Sequence, residues 1–248
     1  MDHYPYVLTD PIGSAATLGL VVLQVDETIE QDFRRLFAGP EVALYVSRIP
    51  SGAALTPDTI AQMALDLPQA ASLFPPAACF DAIGYACTSG TTLIGADKVS
   101  QLVMDSANTL AVTDPLTASI AAFAALKVST IAIVSPYIAS VATPIRDAFV
   151  RAGLNVPATL SFGEETEAHV ARIDPASIHA AALEMGQTPG VEAVFISCTN
   201  LRTLDIITDL ERQLGLPVVS SNQALAWHMA RIASAPLAPD APGTLFGL

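Results

Sequence analysis

Ile83-Gly84-Tyr85-Ala86-Cys87-Thr88-Ser89 is followed, 111 residues later, by Val194-Phe195-Ile196-Ser197-Cys198-Thr199-Asn200. Each stretch is a short apolar run, then a Cys-Thr pair, then a small polar residue, and each leads into helical sequence. Unbroken apolar runs of this kind read as strands buried on both faces, as in a parallel sheet covered by helices. The spacing is close to half of the 248-residue chain, which suggests a duplicated unit. Two such lobes would face each other across a cleft, with one cysteine on each wall.

The same alternation extends outward in both directions. Strands are expected at Leu18–Val25, Val42–Ser47, Ala82–Ala86, Thr130–Val134, Asn155–Phe162, Ala193–Ser197 and Val218–Val219. Between them lie helical patterns at Thr28–Phe37, Pro57–Ser72, from about Thr91, Pro115–Leu126, Ile138–Ala152, Glu164–Ala171, Pro175–Met185, Leu201–Leu214 and Ser221–Ala233. Strand–helix alternation throughout defines an α/β fold, here two similar lobes, each a parallel sheet flanked by helices, with a cleft between them. The expected division is a first lobe over 1–113, completed by 221–248, and a second lobe over 114–220.

Composition narrows the function. Hydrophobic residues make up 52% of the chain and charged residues 14%, enough to build a large core and too apolar for disorder. A net charge of −13, with no basic run longer than Arg34-Arg35, excludes nucleic acid and anionic membranes as expected partners. Leu116–Val134 is mostly apolar, but Lys127 and the switch from Ala-rich to β-branched sequence make it a helix, a turn and a strand. Residues 1–11 lack the basic and apolar regions of a signal peptide. Three cysteines with no CxxC pair make neither a disulfide framework nor a zinc site, so a reducing cytoplasm is the expected compartment.

A cysteine at the C-terminal end of a parallel strand stands where open α/β sheets place their ligands. The amides opening the next helix favour an anion there, and on that basis a lowered thiol pKa is expected. Thr88 and Ser89 on one wall, and Thr199 and Asn200 on the other, add donors for a carboxylate. Cys79 has no such setting and is read as structural. His169, His179 and His228 lack metal spacing, and no HExxH, GxGxxG or Schiff-base lysine context is present. Proton removal beside a carboxylate builds charge on that carboxylate, and a cradle of hydroxyls and amides stabilises it, so no metal or other cofactor is required.

The two Cys-Thr strand ends, Tyr137 after Ile133-Val134-Ser135-Pro136, and Val218-Val219-Ser220-Ser221-Asn222 resemble the aspartate/glutamate racemase superfamily, in its maleate isomerase and arylmalonate decarboxylase branch. Leu23-Gln24-Val25-Asp26-Glu27-Thr28-Ile29-Glu30 and Gly84–Gly90 look most like bacterial ectoine-utilisation proteins. The resemblance implies two lobes around one site, with Cys87 and Cys198 as catalytic residues. It also implies Thr88, Ser89, Tyr137 and Thr199 as carboxylate ligands, with Asn200, Asp26 and Gln24 in the substrate pocket.

In racemases the two cysteines exchange a proton with the α-carbon; in maleate isomerases one adds to a double bond. Decarboxylases of the branch carry glycine at the first cysteine's place, so cysteine at both places favours a cofactor-independent isomerase or racemase of a small carboxylic acid. Decarboxylation with Cys198 as proton donor, and non-catalytic binding of a small acid, are the alternatives. Asp26 stands where maleate isomerases have asparagine, which argues against a second substrate carboxylate there and for an amine or amide. It reads equally as the cap of the next helix. Ala-rich helices make a homo-oligomer the expected assembly.

Overall fold

The computed structural model describes residues 3–54 and 56–248. The first half contains β1 (Ala16–Leu23), α1 (Ile29–Leu36), β2 (Val42–Ile49), α2 (Pro57–Ala71), β3 (Ala82–Ala86), α3 (Thr88–Ile94), α4 (Ala96–Met104) and β4 (Val112–Thr113). Then follow α5 (Pro115–Leu126), β5 (Thr130–Ser135), α6 (Ala139–Arg151), β6 (Asn155–Ser161), α7 (Glu167–Val170), α8 (Pro175–Gly186), β7 (Ala193–Ile196), α9 (Leu204–Leu214), β8 (Val218–Ser220) and α10 (Ser221–Ala233). They build two four-stranded, all-parallel sheets, ordered β2-β1-β3-β4 and β6-β5-β7-β8. The identical order is the structural form of the repeat seen around the two cysteines.

The central strands β3 and β7 are buried along their whole length, as their unbroken apolar runs require. The edge strand β6 instead alternates exposed and covered residues, because only one of its faces meets the core. The apolar stretch 116–134 divides into α5 and β5, and among the described residues no helix is long and apolar enough to cross a membrane.

The two halves interlock. Helix α5 leaves the first sheet but packs on the second, where Phe123 meets Phe195 of β7 edge-on at 6.0 Å. Phe149 of α6 completes that aromatic cluster, 5.0 Å from Phe195. Helix α10 leaves the second sheet and lies on β3 and β1 of the first. Contact there is close: a Cβ on Gly84 would stand 2.7 Å from Met229 Sδ, so glycine is what lets α10 approach β3.

Two expectations about helix starts are corrected. The helix after Cys87 begins at Thr88, not near Thr91, because the thiol itself caps it: Gly90 N donates to Cys87 Sγ at 3.1 Å. Gly95, at φ 97°, then breaks the segment into α3 and α4. After Cys198 no helix follows directly; α9 starts at Leu204, and residues between them form a turn.

Candidate active site

In each sheet the chain reverses direction of growth between the two central strands, and the crevice beyond their C-terminal ends is where such sheets bind ligands. In the first sheet these are β1 and β3, which lead to Asp26 and Cys87. In the second they are β5 and β7, which lead to Tyr137 and Cys198. The two crevices are braced against each other by a hydroxyl that sequence reasoning gave no role. Ser221 Oγ, at the start of α10, accepts from Cys198 N at 3.0 Å and lies 2.8 Å from Thr88 Oγ1. A second brace runs from Thr199 Oγ1 to the carbonyl of Ala86 at 3.3 Å. Each Cys-Thr segment thus bonds to the other.

Around the sulfurs, Ser89 Oγ stands 3.5 Å from Cys87 Sγ, and Asn200 N donates to Cys198 Sγ at 3.4 Å. Gly90 is needed for the first arrangement, since a Cβ there would fall 2.6 Å from the Tyr85 hydroxyl and 2.9 Å from Cys87 Sγ. Cys198 has φ 153°, a backbone setting that side chains rarely adopt and that is found disproportionately at functional sites. The Tyr137 hydroxyl supports a charged Cys198, and the charge of either thiolate would raise the tyrosine in turn.

The expectation of lowered thiol pKa values is overturned. Burial is the dominant cause and pushes Cys87 up to about 11, over the opposing effect of Ser89 and the Gly90 amide. Burial likewise pushes Cys198 well up, and Glu167 and Asp26 add to both shifts through their negative charge. A few amide donors do not offset removal of a thiolate from water.

The remaining expected residues separate into groups. Thr88, Ser89, Tyr137 and Thr199 are buried together with the thiols. Asp26 braces the start of α1, whose N-cap is Thr28: its Oδ1 accepts from Thr28 N at 2.8 Å and Ile29 N at 2.9 Å, while its buried Oδ2 has no hydrogen-bond partner among the described residues. Asn200 does not offer a free side chain. Its Oδ1 accepts from Glu27 N at 2.8 Å and its Nδ2 donates to Glu167 Oε2 at 2.9 Å, so it clamps the β1–α1 turn to α7. Gln24 is exposed and sits at the rim, where it lines a small cavity of about 220 Å³ with Val25, Glu27, Ala53, Thr166 and Ala168. Cys79 is exposed and remote from the site.

Two carboxylates were missed. Glu167 is buried beside Asn200, with a pKa raised chiefly by burial. Asp32, also buried, accepts from Asn222 Nδ2 at 2.7 Å; the same amide donates to the Thr199 carbonyl at 2.9 Å, so this pair holds the Cys198-Thr199 turn. The quoted Ser221-Asn222 pair at a strand–helix junction was the available signal for the second. Nothing local marks Glu167, whose place is set by a bridge between Ala54 and Thr166.

Two duplicated parallel sheets with a buried thiol at each switch point, tied together through Ser221 and Thr199, define a two-lobed α/β fold with one cysteine per lobe. The chain matches the arylmalonate decarboxylase family over residues 69–246, and it belongs to that family. An arylmalonate decarboxylase from Bordetella bronchiseptica is 31% identical over 133 residues, 53% of this chain; the match spans 55%, about half, of that relative.

Among solved structures, the maleate isomerase Iso from Pseudomonas putida superposes with a TM-score of 0.83 at 23% identity, over 93% of this chain and 97% of that one. An arylmalonate decarboxylase double mutant in its liganded form, one glycine changed to cysteine and one cysteine to serine, gives 0.83 at 25% identity, over 93% and 98% of the two chains. A Nocardia farcinica maleate cis-trans isomerase mutant with a covalently bound succinylcysteine intermediate gives 0.80 at 21%, over 93% and 97%. These relatives are enzymes and share the two-lobed fold. The narrower likeness to ectoine-utilisation proteins has no counterpart among them.

Proposed function

We propose that this chain is a cofactor-independent isomerase or racemase of a small carboxylic acid, with Cys87 and Cys198 acting as a pair. The observation that carries this reading is the equivalent placement of two buried thiols, each at the switch point of its own sheet, in Cys-Thr segments that Ser221 links through the Thr88 hydroxyl and the Cys198 amide. Thr88, Ser89, Tyr137 and the Thr199 amide would hold the substrate carboxylate. One thiolate takes the proton from the carbon beside it, the electron pair moves onto the carboxylate as an enediolate, and the other thiol returns a proton to the opposite face. The sulfurs end with exchanged protonation and no net change in charge.

The raised thiol pKa suits this step. At pH 7.5 a group with a pKa of about 11 is ionised in roughly one molecule in 3,000, but the thiolate that forms is strongly basic and matched to a weakly acidic C–H. For an unsaturated diacid, the same thiolate would add to the double bond, allow rotation, and be expelled; the succinylcysteine of the Nocardia enzyme is the precedent.

The test is a pair of variants. Cys87→Ser and Cys198→Ser should each abolish turnover while the far-UV spectrum and melting temperature hold. Wild-type protein in deuterium oxide should place deuterium on the carbon next to the carboxylate if the reaction is proton transfer. Turnover that survives either substitution would sink the two-thiol reading. Family membership favours a second reading, decarboxylation of a malonate-like acid with Cys198 as proton donor. It predicts carbon dioxide release that tolerates Cys87→Gly.

A further inference from the structure

The phenol of Tyr85 carries a hydroxyl that its surroundings do not explain. Tyr85 lies in β3 and is fully buried. Neighbouring side chains of a strand point to opposite faces, so Gly84 meets α10 while Tyr85 points towards α2. There its hydroxyl donates to Met63 Sδ at 3.8 Å, and a thioether is a weak acceptor. No oxygen or nitrogen accepts from it among the described residues. Buried hydroxyls as a rule find a strong partner, and phenylalanine would fill the same space without desolvating one.

That hydroxyl stands beside the first thiol. A Cβ on Gly90 would fall 2.6 Å from the Tyr85 hydroxyl and 2.9 Å from Cys87 Sγ, so both groups border one small space that glycine leaves open. Burial first, and then the charge of a Cys87 thiolate and a hydrogen bond to it, hold the phenol protonated and so keep it a donor. At rest Sγ has the Gly90 amide at 3.1 Å and Ser89 Oγ at 3.5 Å. When Ser89 turns to a substrate carboxylate, the thiolate keeps one amide just as it must form. The Tyr85 hydroxyl is free to take the vacated place.

We propose that Tyr85 is a positioning residue for Cys87, its hydroxyl leaving Met63 Sδ and donating to Cys87 Sγ as the thiolate forms. The proposal rests on the reading of Cys87 as a reactive thiolate. A hydrogen bond to an ionised acceptor is about twice as strong as one between neutral groups, so the exchange of a thioether for a thiolate favours ionisation. Each thiol then has its own phenol, since the Tyr137 hydroxyl supports a charged Cys198 on the opposite wall.

The test is peptide-resolved iodoacetamide alkylation of the full chain in a Cys79→Ser background, from about pH 7 to pH 10, with Cys198 as the internal reference. Tyr85→Phe keeps the ring and removes the donor. It should slow alkylation of Cys87 about threefold or more across the range, because the higher nucleophilicity of a more basic thiolate returns only part of the loss in its population. Cys198 should change less than about twofold. Met63→Leu removes the competing acceptor and should leave Cys87 as reactive as in the wild type or more so. Cys87 alkylation that is unchanged or faster in Tyr85→Phe, equal slowing of both cysteines there, or slower Cys87 alkylation in Met63→Leu would each overturn the role of Tyr85 alone. Failure of Cys87 to react in the wild type at any pH in the range would overturn the reactive-thiolate reading and the proposal with it.

Discussion

Asp32 offers a quantitative test of how far burial governs this site. Its side chain is 6% exposed and accepts from Asn222, and burial outweighs that bond and the charge of Arg35, raising its pKa from 3.8 to about 7. Below pH 3.8 both folded and unfolded chains hold the proton. Between 3.8 and about 7 only the folded chain does, so stability from this group falls as pH rises and is fully lost above about 7. At about 1.36 kcal/mol per pH unit, that interval amounts to about 4 kcal/mol. Asp32→Asn keeps an oxygen to accept from Asn222 and removes the ionisation. The variant should match the wild type near pH 4 and exceed it by about 2–4 kcal/mol at pH 8, an increase in melting temperature of roughly 5–15 °C for a chain of this size. Urea unfolding of both proteins at intervals from pH 4 to 8 measures the difference directly, and the subtraction cancels the other carboxylates. A difference that stays constant with pH, or a variant less stable than wild type at pH 8, would refute the argument.

Three further outcomes follow from the same geometry. Ser221→Ala leaves the buried Cys198 amide without its acceptor, so stability should drop by about 1–3 kcal/mol and kcat by tenfold or more, measured by thermal melts and steady-state kinetics. In a Cys79→Ser background, iodoacetamide alkylation of Cys87 should rise about tenfold per pH unit with no plateau below about 11; a plateau near 8.5 would show that burial does not control the thiol. Gly90→Ala forces a methyl against the Tyr85 hydroxyl and Cys87 Sγ, and should cost about 1–3 kcal/mol of stability together with most of the activity.

The unbroken apolar runs at 82–86 and 193–196 made the central strands readable, because a strand covered on both sides has no polar face to disguise it. The repeated Cys-Thr ends made the thiols readable for the same reason. The two-residue β4 carries no period to detect, and α3 starts on a sulfur cap where serine, threonine, aspartate or asparagine is the usual marker. The thiol pKa was misjudged in sign because a helix start is visible in a sequence, whereas depth of burial is a property of the assembled lobes. Glu167 was invisible on the same account: its position depends on Asn200, 33 residues later, and on the bridge from Ala54.

The exchanged helices α5 and α10 bear on how a small molecule gains admission. Prising the lobes apart like a clamshell would leave Phe123 against Phe195 and Met229 over Gly84, each within its own lobe, and would instead part α5 from α10 where the two helices pack together. The lobes are also joined where Ala54 bridges Thr166 and Glu167 N donates to the Ala53 carbonyl at 3.1 Å. Widening the gap between the two Cys-Thr ends would therefore have to break the α5–α10 packing, the Ser221 brace and this short bridge together.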